Sequence, residues 1–131
     1  MRVMISQPMN GRRNDDIKKD RDEIIDRFKK LHIDVIDSLI EDTADPKTYN
    51  EYHPALYYLA RSIELMGQVD AVYFSDGWQE ARCCRIKHEI CNEYGIKCLY
   101  SDFFNNDKNY TVSTSNIKEE YYGNNRSYRR I

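Results

Sequence analysis

The sequence predicts an α/β fold, a three-layer sandwich in which helices cover both faces of a parallel sheet of about four to five strands. Two features of the chain predict it. Within residues 1–100, short apolar segments alternate with longer amphipathic segments, and this alternation is typical of right-handed βαβ units. The chain also has 131 residues, which is the usual length of a single domain.

The predicted strands are short, largely apolar segments: Val3–Ser6, Ile33–Ile36, Val69–Phe74 and Ile96–Tyr100. The third is almost entirely apolar, as expected for a strand that is covered on both faces. With right-handed crossovers, this alternation gives the strand order 2-1-3-4 of a flavodoxin-like or Rossmann-like sheet.

Helical periodicity identifies the segments between these strands. Residues 15–31 carry apolar side chains at helical spacing: Ile17, Ile24, Phe28 and Leu31. The second predicted helix begins at Pro54, because proline suits the first helical turn. Its predicted inner face consists of apolar residues: Leu56, Leu59, Ala60, Ile63 and Met66. The third predicted helix covers residues 79–94, and Gly95 is its predicted C-cap.

Residues 101–131 form a polar C-terminal extension to the predicted domain of residues 1–100. The extension is rich in Asn, Ser, Tyr and charged residues. Within it, Tyr110–Ser113 is a candidate edge strand. The remainder is either a disordered tail or an oligomerisation arm that packs on a neighbouring subunit, and the composition leaves both interpretations open.

Charge and hydropathy exclude several classes of protein. Lys and Arg total 20 against 22 Asp and Glu, a net charge of −2. This balance argues against a nucleic acid polymer as partner and against a polybasic membrane binder. No apolar run approaches the ~20 residues that span a bilayer, and Met1–Ile5 is too short for a signal peptide. The sequence therefore predicts a cytoplasmic protein.

The four cysteines lie close together in sequence: Cys83, Cys84, Cys91 and Cys98. Cys84, His88 and Cys91 have the spacing of one helix face, but no second pair of ligands accompanies them, as a structural zinc site requires. We therefore expect small, reduced, buried side chains. The sequence predicts no metal site and no cofactor.

The expected strand order also predicts the position of a ligand site. In such sheets, ligands bind at the carboxyl ends of the strands beside the topological switch, here the first and third strands. The candidate ligand-binding residues are those of the two following loops: Gln7, Pro8, Met9, Asn10, Gly11, Ser75, Asp76, Gly77 and Trp78.

The start of the third helix adds an affinity for anions to this site. A helix N-terminus presents unpaired N–H groups and a partial positive charge, and Arg82 is a further candidate ligand-binding residue there. Trp78 either stacks on a base or sugar or packs the helix onto the sheet. The sequence leaves both interpretations open.

Lys87 is the most informative residue of that helix. In projection, Cys83, Ile86, Ile90 and Tyr94 define the predicted apolar face, and Lys87 falls inside the same arc. A buried lysine is costly unless it is paired or lines a cavity. It either extends out of a shallow site or faces the ligand, and the two strand-end loops favour the ligand.

Four segments, in order along the chain, resemble a known superfamily: "SQPMNG", "VDAVYFSDGW", "ARCCRIKHEI" and "GIKCLY". Through them, residues 1–100 resemble the nucleoside 2-deoxyribosyltransferase-like superfamily. They look closest to small phage and bacterial proteins grouped as domain of unknown function 4406. The resemblance implies a flavodoxin-like domain that binds a nucleoside or nucleotide, and a homo-oligomer. In enzymes of the superfamily, a glutamate at the start of this helix attacks the anomeric carbon and cleaves the N-glycosidic bond.

The chain departs from the superfamily at that nucleophile. Related helices usually read S-x-G-A-x-x-E-H, whereas residues 81–88 read Ala-Arg-Cys-Cys-Arg-Ile-Lys-His, so Lys87 takes the glutamate position. A lysine is not a carboxylate nucleophile, but it can hold a phosphate as a point charge. The candidates for a displaced catalytic carboxylate are Asp76, Glu80 and Glu89, none of which occupies that position.

Three functions remain open from the sequence. The first, which Lys87 favours, is a non-catalytic binder of a nucleotide-like ligand; if phage-encoded, it would sequester a nucleotide of host defence in the host cytoplasm. The second is an active deoxyribosyltransferase or nucleotide N-glycosidase that uses a displaced carboxylate. The third is a non-enzymatic interaction module that works through its tyrosine-rich C-terminal extension.

Overall fold

A computed structural model describes residues 1–36 and 53–109 of the chain. Its sheet has four parallel strands: β1 (Arg2–Ser6), β2 (Asp34–Ile36), β3 (Ala71–Phe74) and β4 (Lys97–Leu99). The strand order is β2-β1-β3-β4, with Val3 paired with Val35 on one side and with Ala71 on the other. The predicted α/β fold and the predicted strand order are confirmed.

Within the described residues, three α-helices lie between these strands: α1 (Asn14–Lys30), α2 (Pro54–Met66) and α3 (Arg82–Tyr94). Pro54 occupies the first turn of α2, as predicted. Gly95 ends α3 in the left-handed region, at φ 69°, where only glycine avoids a steric penalty from Cβ. The third helix begins later than position 79, because a 3₁₀ turn of Trp78–Glu80 and an extended Ala81 precede it.

One face of the sheet carries a core rich in aromatic side chains beneath α1. The side chains of Val3, Ile5 and Tyr73 point to this face and pack on Phe28 of α1. Phe103 and Phe104, in the 3₁₀ segment Ser101–Asn109, close the same core. The Phe28 ring meets Tyr73 and Phe104 edge to face, with centroids 5.4 and 4.8 Å apart, a favoured aromatic geometry.

The opposite face packs under α2 and α3 and is rich in sulfur. Its core comprises alternate strand residues together with residues of the two helices: Met4, Met66, Val72, Phe74, Cys84, Cys91 and Cys98. The expectation that the cysteines are free, small core residues holds for three of them, while Cys83 is half-buried.

The predicted inner face of α2 is only partly right. Met66 is buried as predicted and Leu59 is half-buried. Leu56 and Ile63 are 53% and 38% exposed and Ala60 is exposed, whereas Ser62, which was not predicted, is buried. Apolar residues occupy most of the circumference of α2, so their spacing alone does not select the stripe that meets the sheet. The side of α2 that is buried is determined by its contacts with the strands.

The predicted apolar face of α3 is also shifted. Ile86 and Tyr94 are exposed, and the buried residues are Cys84, Lys87 and Cys91. Two neighbouring stripes compete on this helix, and the one with small cysteine side chains faces the sheet, where Cys84 meets Ser6. The predicted burial of Lys87 is confirmed.

The candidate edge strand Tyr110–Ser113 and the remainder of the extension to residue 131 lie outside the described residues. None of the helices described in residues 1–36 and 53–109 combines the length and the apolar character needed to cross a membrane.

Candidate functional site

A cavity of about 320 Å³ opens at the carboxyl end of β1, between α2 and α3. Residues from the loop after β1, from α2 and from the start of α3 line it: Gln7, Met9, Asn10, Ala55, Tyr58, Leu59, Ser62, Ala81, Arg82, Cys83, Cys84 and Lys87. Its volume lies at the lower end of the roughly 300–1,000 Å³ of small-molecule sites. We call it the Lys87 cavity.

Gln7 forms the floor of this cavity next to the sheet. It directly follows β1, and only 5% of its surface is exposed. Its Nε2 donates a hydrogen bond of 2.9 Å to the carbonyl of Ile17 in α1, which orients the amide. Its Oε1 is buried and has no hydrogen-bond partner among the described residues. A buried acceptor without a partner is costly, so the fold holds this amide beside the cavity at some expense of stability.

Lys87 is the charged group deepest in the cavity wall. It is 9% exposed, and no carboxylate within residues 1–36 or 53–109 forms an ion pair with it. Burial lowers the pKa of Lys87 below its usual 10.5 because the ammonium loses its hydration; Arg21 of α1 lowers it further, while the nearby thiols act in the opposite direction. Among the described residues, no negative charge therefore compensates the ammonium of Lys87.

The N-terminus of α3 supplies further positive potential at the rim. Arg82 is the first residue of this helix, is exposed and lines the same cavity. No side chain caps the helix at Ala81, so its first N–H groups point toward the opening without a protein acceptor from a cap.

A second cavity, of about 470 Å³, adjoins the first and shares Asn10 and Ala81 with it. Its other lining residues are Pro8, Arg12, Asp20, Asp76, Gly77 and Glu80. Arg12 and Asp20 form an ion pair across it. The carboxylates of Asp76 and Glu80 thus lie on the far side of Ala81 from Lys87.

Trp78 lies outside the lining of both cavities. Its ring stacks on His88 of α3, with centroids 4.1 Å apart and planes 20° apart. The Tyr100 hydroxyl and His88 Nε2 are 2.7 Å apart, which joins the end of β4 to the same stack. Of the two interpretations of Trp78, the structure favours packing, because His88 covers one of its faces.

The structure distributes the remaining predicted site residues unevenly. Gln7, Met9, Asn10, Arg82 and Lys87 meet at the Lys87 cavity, whereas Pro8, Asp76 and Gly77 line its neighbour. The others line neither of these cavities: Gly11, Ser75, Trp78 and Glu89. Ser75 Oγ is nevertheless buried without a hydrogen-bond partner among the described residues.

Sequence reasoning missed part of the contribution of α2. Ala55, Leu59 and Ser62 line the Lys87 cavity, and the sequence did not predict these three residues as part of the site. Ser62 carries a usable signal, because it interrupts an apolar stripe and its Oγ bonds the Tyr58 carbonyl within the helix. Because the Ser62 hydroxyl donates its hydrogen bond within its own helix and the side chain is small, it leaves room for the cavity.

Comparison with known proteins gives no indication of which ligand or reaction the two cavities serve. The chain matches no known protein-family model, and no curated protein or solved structure is significantly similar to it. The residues of the two cavities therefore carry the functional argument.

Proposed function

We propose that the chain binds a nucleotide-like anion in the Lys87 cavity and holds it without turnover. The observation that carries the proposal is the buried ammonium of Lys87, which has no carboxylate partner among the described residues and faces an open cavity. A buried cation becomes favourable when a counter-ion is supplied. A ligand phosphate or carboxylate is such a counter-ion.

The walls of the cavity suit the remainder of a nucleotide. Met9, Tyr58 and Leu59 offer apolar and aromatic surface to a base. Asn10 offers hydrogen-bonding groups to base or sugar hydroxyls. Arg82 and the N-terminus of α3 hold additional negative charge at the rim.

The positions of the carboxylates favour binding over glycosidic cleavage. Among the described residues, no acidic side chain lines the Lys87 cavity, and Glu89 is exposed on α3. Asp76 and Glu80 line the adjoining cavity instead. Within residues 1–36 and 53–109, no carboxylate nucleophile therefore lies in the cavity wall beside Lys87, which is consistent with the substitution at the glutamate position.

The wider setting rests on the superfamily resemblance alone. We propose membership of the nucleoside 2-deoxyribosyltransferase-like superfamily and, for a phage-encoded copy in the host cytoplasm, sequestration of a nucleotide of host defence. We also propose a homo-oligomer. The large apolar side chains left exposed on α2 and α3, such as Leu56 and Ile63, support it, and sedimentation velocity tests it: a monomer at micromolar concentration contradicts it.

Native mass spectrometry of the protein purified from cells tests the binding proposal. We expect a small anionic adduct that chromatography of the denatured protein identifies as an intact nucleotide. A nucleotide panel incubated with the protein should be recovered unchanged. Released free base contradicts turnover-free binding and directs attention to Asp76 and Glu80.

Two variants complete that test. Lys87→Ala removes the cavity cation and should abolish the adduct, whereas Lys29→Ala removes an exposed lysine of α1 and should retain it. Loss of the adduct in both variants, or in neither, contradicts a specific role for Lys87.

A further inference from the structure

Lys87 differs from the other lysines whose surroundings the structure describes. Lys18, Lys19, Lys29 and Lys30 are exposed on α1, and Lys97 is buried in β4, away from the Lys87 cavity. Lys87 alone among them combines burial with a position on the wall of a cavity large enough for a small molecule.

We propose that Lys87 is a reactive amine, and that the Lys87 cavity captures a small aldehyde bearing an anionic group by forming an imine with it. The reaction requires an amine in its neutral form, a carbonyl carbon held beside it and a place for the anionic group of the ligand. The structure meets each requirement with different residues.

The surroundings of Lys87 favour the neutral amine. The side chain is almost fully buried, Arg21 of α1 adds a positive field, and no carboxylate pairs with the ammonium among the described residues. The remaining charged or titratable groups that act on it are Cys83, Cys84 and Cys91 of its own helix. Because burial lowers the pKa of Lys87, a larger fraction of this amine is neutral at a given pH than for an exposed lysine.

The geometry of α3 sets the size of the ligand. Arg82 and Lys87 line the same cavity and are five residues apart, which separates them by about 7.5 Å along the helix axis at roughly 1.5 Å per residue. An anionic group held at Arg82 and the helix N-terminus therefore leaves room for a short chain before the carbonyl reaches Lys87. A phosphorylated or carboxylated aldehyde of a few carbons fits this spacing.

The step balances without any further reagent. The lone pair of the neutral Lys87 Nζ attacks the carbonyl carbon, and the carbonyl oxygen takes up a proton to give a carbinolamine. Loss of the hydroxyl with a nitrogen proton releases water and leaves the C=N bond.

This capture differs from the binding of an intact nucleotide. In a nucleotide, the glycosidic bond masks the carbonyl of the sugar, so no imine forms and the phosphate is held by charge alone. Capture of an aldehyde requires only that the cavity admits a small anion, so it stands whether or not the natural ligand is a nucleotide.

Trapping with borohydride tests the proposal. Pyridoxal 5′-phosphate serves as the probe, since it is an aldehyde with a phosphate, and borohydride reduces any imine to a stable secondary amine. At a substoichiometric dose, peptide mass mapping should find Lys87 labelled several-fold more than each exposed lysine of α1, because its lowered pKa leaves a larger fraction of its amine neutral. Equal labelling of these lysines, or an unlabelled Lys87, overturns the proposal.

Two controls keep the outcomes apart. Pyridoxal, which lacks the phosphate, should label Lys87 more slowly than the phosphorylated probe, and equal rates overturn the anionic requirement. Lys87→Arg keeps the charge and should lose the preferred label while it retains a native circular dichroism spectrum. If nucleotides fail to protect a preferentially labelled Lys87, the nucleotide proposal fails while aldehyde capture stands.

Discussion

The two faces of the sheet are built from the same strands but differ in how tightly they are packed. Beneath α1, Phe28, Tyr73 and Phe104 fill the space with interlocked rings. Beneath α2 and α3, cysteines and a buried serine pack on the sheet, and a cavity of about 320 Å³ remains at its carboxyl edge. The comparison teaches that one face stabilises the fold, which allows the other to keep a buried charge and an open site.

The largest expected effect lies on the aromatic face. Phe28→Ala removes a fully buried ring that contacts three other aromatic rings, and should lower the free energy of unfolding by about 3–5 kcal/mol. Urea denaturation measures the change. The folded fraction should bind nucleotide as the wild type does, because α1 covers the other face; a loss of less than about 1 kcal/mol contradicts the division between the faces.

The next largest effect on stability is a gain, and it is expected at Lys87, on the face of the sheet that carries the cavity. Lys87→Met should raise the free energy of unfolding at neutral pH, by about 1.4 kcal/mol for each unit by which folding lowers the pKa of Lys87. The reason is that only the folded state bears the cost of burying the charged form of the side chain. Between the lowered pKa and 10.5, the unfolded state binds more protons, so wild-type stability rises with pH and the gain from methionine shrinks.

Denaturation series at several pH values measure this trend, with the exposed Lys29→Met as the matched control. A pH-independent gain, or a loss of stability at neutral pH, contradicts an unpaired buried cation at position 87.

A smaller pH effect is expected at the aromatic stack beside the site. Burial lowers the pKa of His88 below its usual 6.5, against a smaller opposing effect of Glu89. As pH falls below 6.5, the unfolded state binds the proton first, so stability declines until the lowered pKa is reached. Because Trp78 is the only tryptophan and stacks on His88, its fluorescence reports the titration.

His88→Phe supplies the control for that effect. The variant keeps an aromatic ring against Trp78 and removes the titrating group, so the acid-induced decline should weaken. An unchanged decline assigns the pH dependence to another group.

The smallest expected effect is at the rim of the Lys87 cavity. Arg82 is exposed, so water and salt screen its charge. Arg82→Ala should weaken nucleotide binding only about threefold, and less at high salt, in keeping with exposed charge pairs. Titration at low salt measures the affinity. If Arg82→Ala loses as much affinity as Lys87→Ala, the main contact with the anion is Arg82 at the rim of the cavity.

The sequence predicted the fold more completely than it predicted the residues of the candidate site. The alternation of segments and the rule of right-handed crossovers determine the sheet order, which the structure confirms. The same rule placed Gln7, Met9 and Asn10 at a ligand edge, where they line the Lys87 cavity. These inferences succeeded because chain direction and strand order alone determine which loops meet.

The helix faces escaped prediction for a physical reason. Apolar residues cover most of the circumference of α2 and form two stripes along α3. Their periodicity therefore identifies each segment as a helix but does not identify the side that contacts the sheet. Only packing on the strands selects Cys84 and Cys91 over Ile86 and Tyr94. The burial of Lys87 was nevertheless predictable, because its position falls between the two stripes.

The central claim is that the Lys87 cavity binds an anionic, nucleotide-like ligand through its buried ammonium. Calorimetric titration of a nucleoside monophosphate panel into the wild type, Lys87→Ala and the exposed control Lys29→Ala tests it most directly. The account predicts saturable binding by the wild type and Lys29→Ala, and a loss of at least about tenfold in Lys87→Ala, or 1.4 kcal/mol. Equal affinity in all three proteins, or no binding of any nucleotide by the wild type, would contradict it.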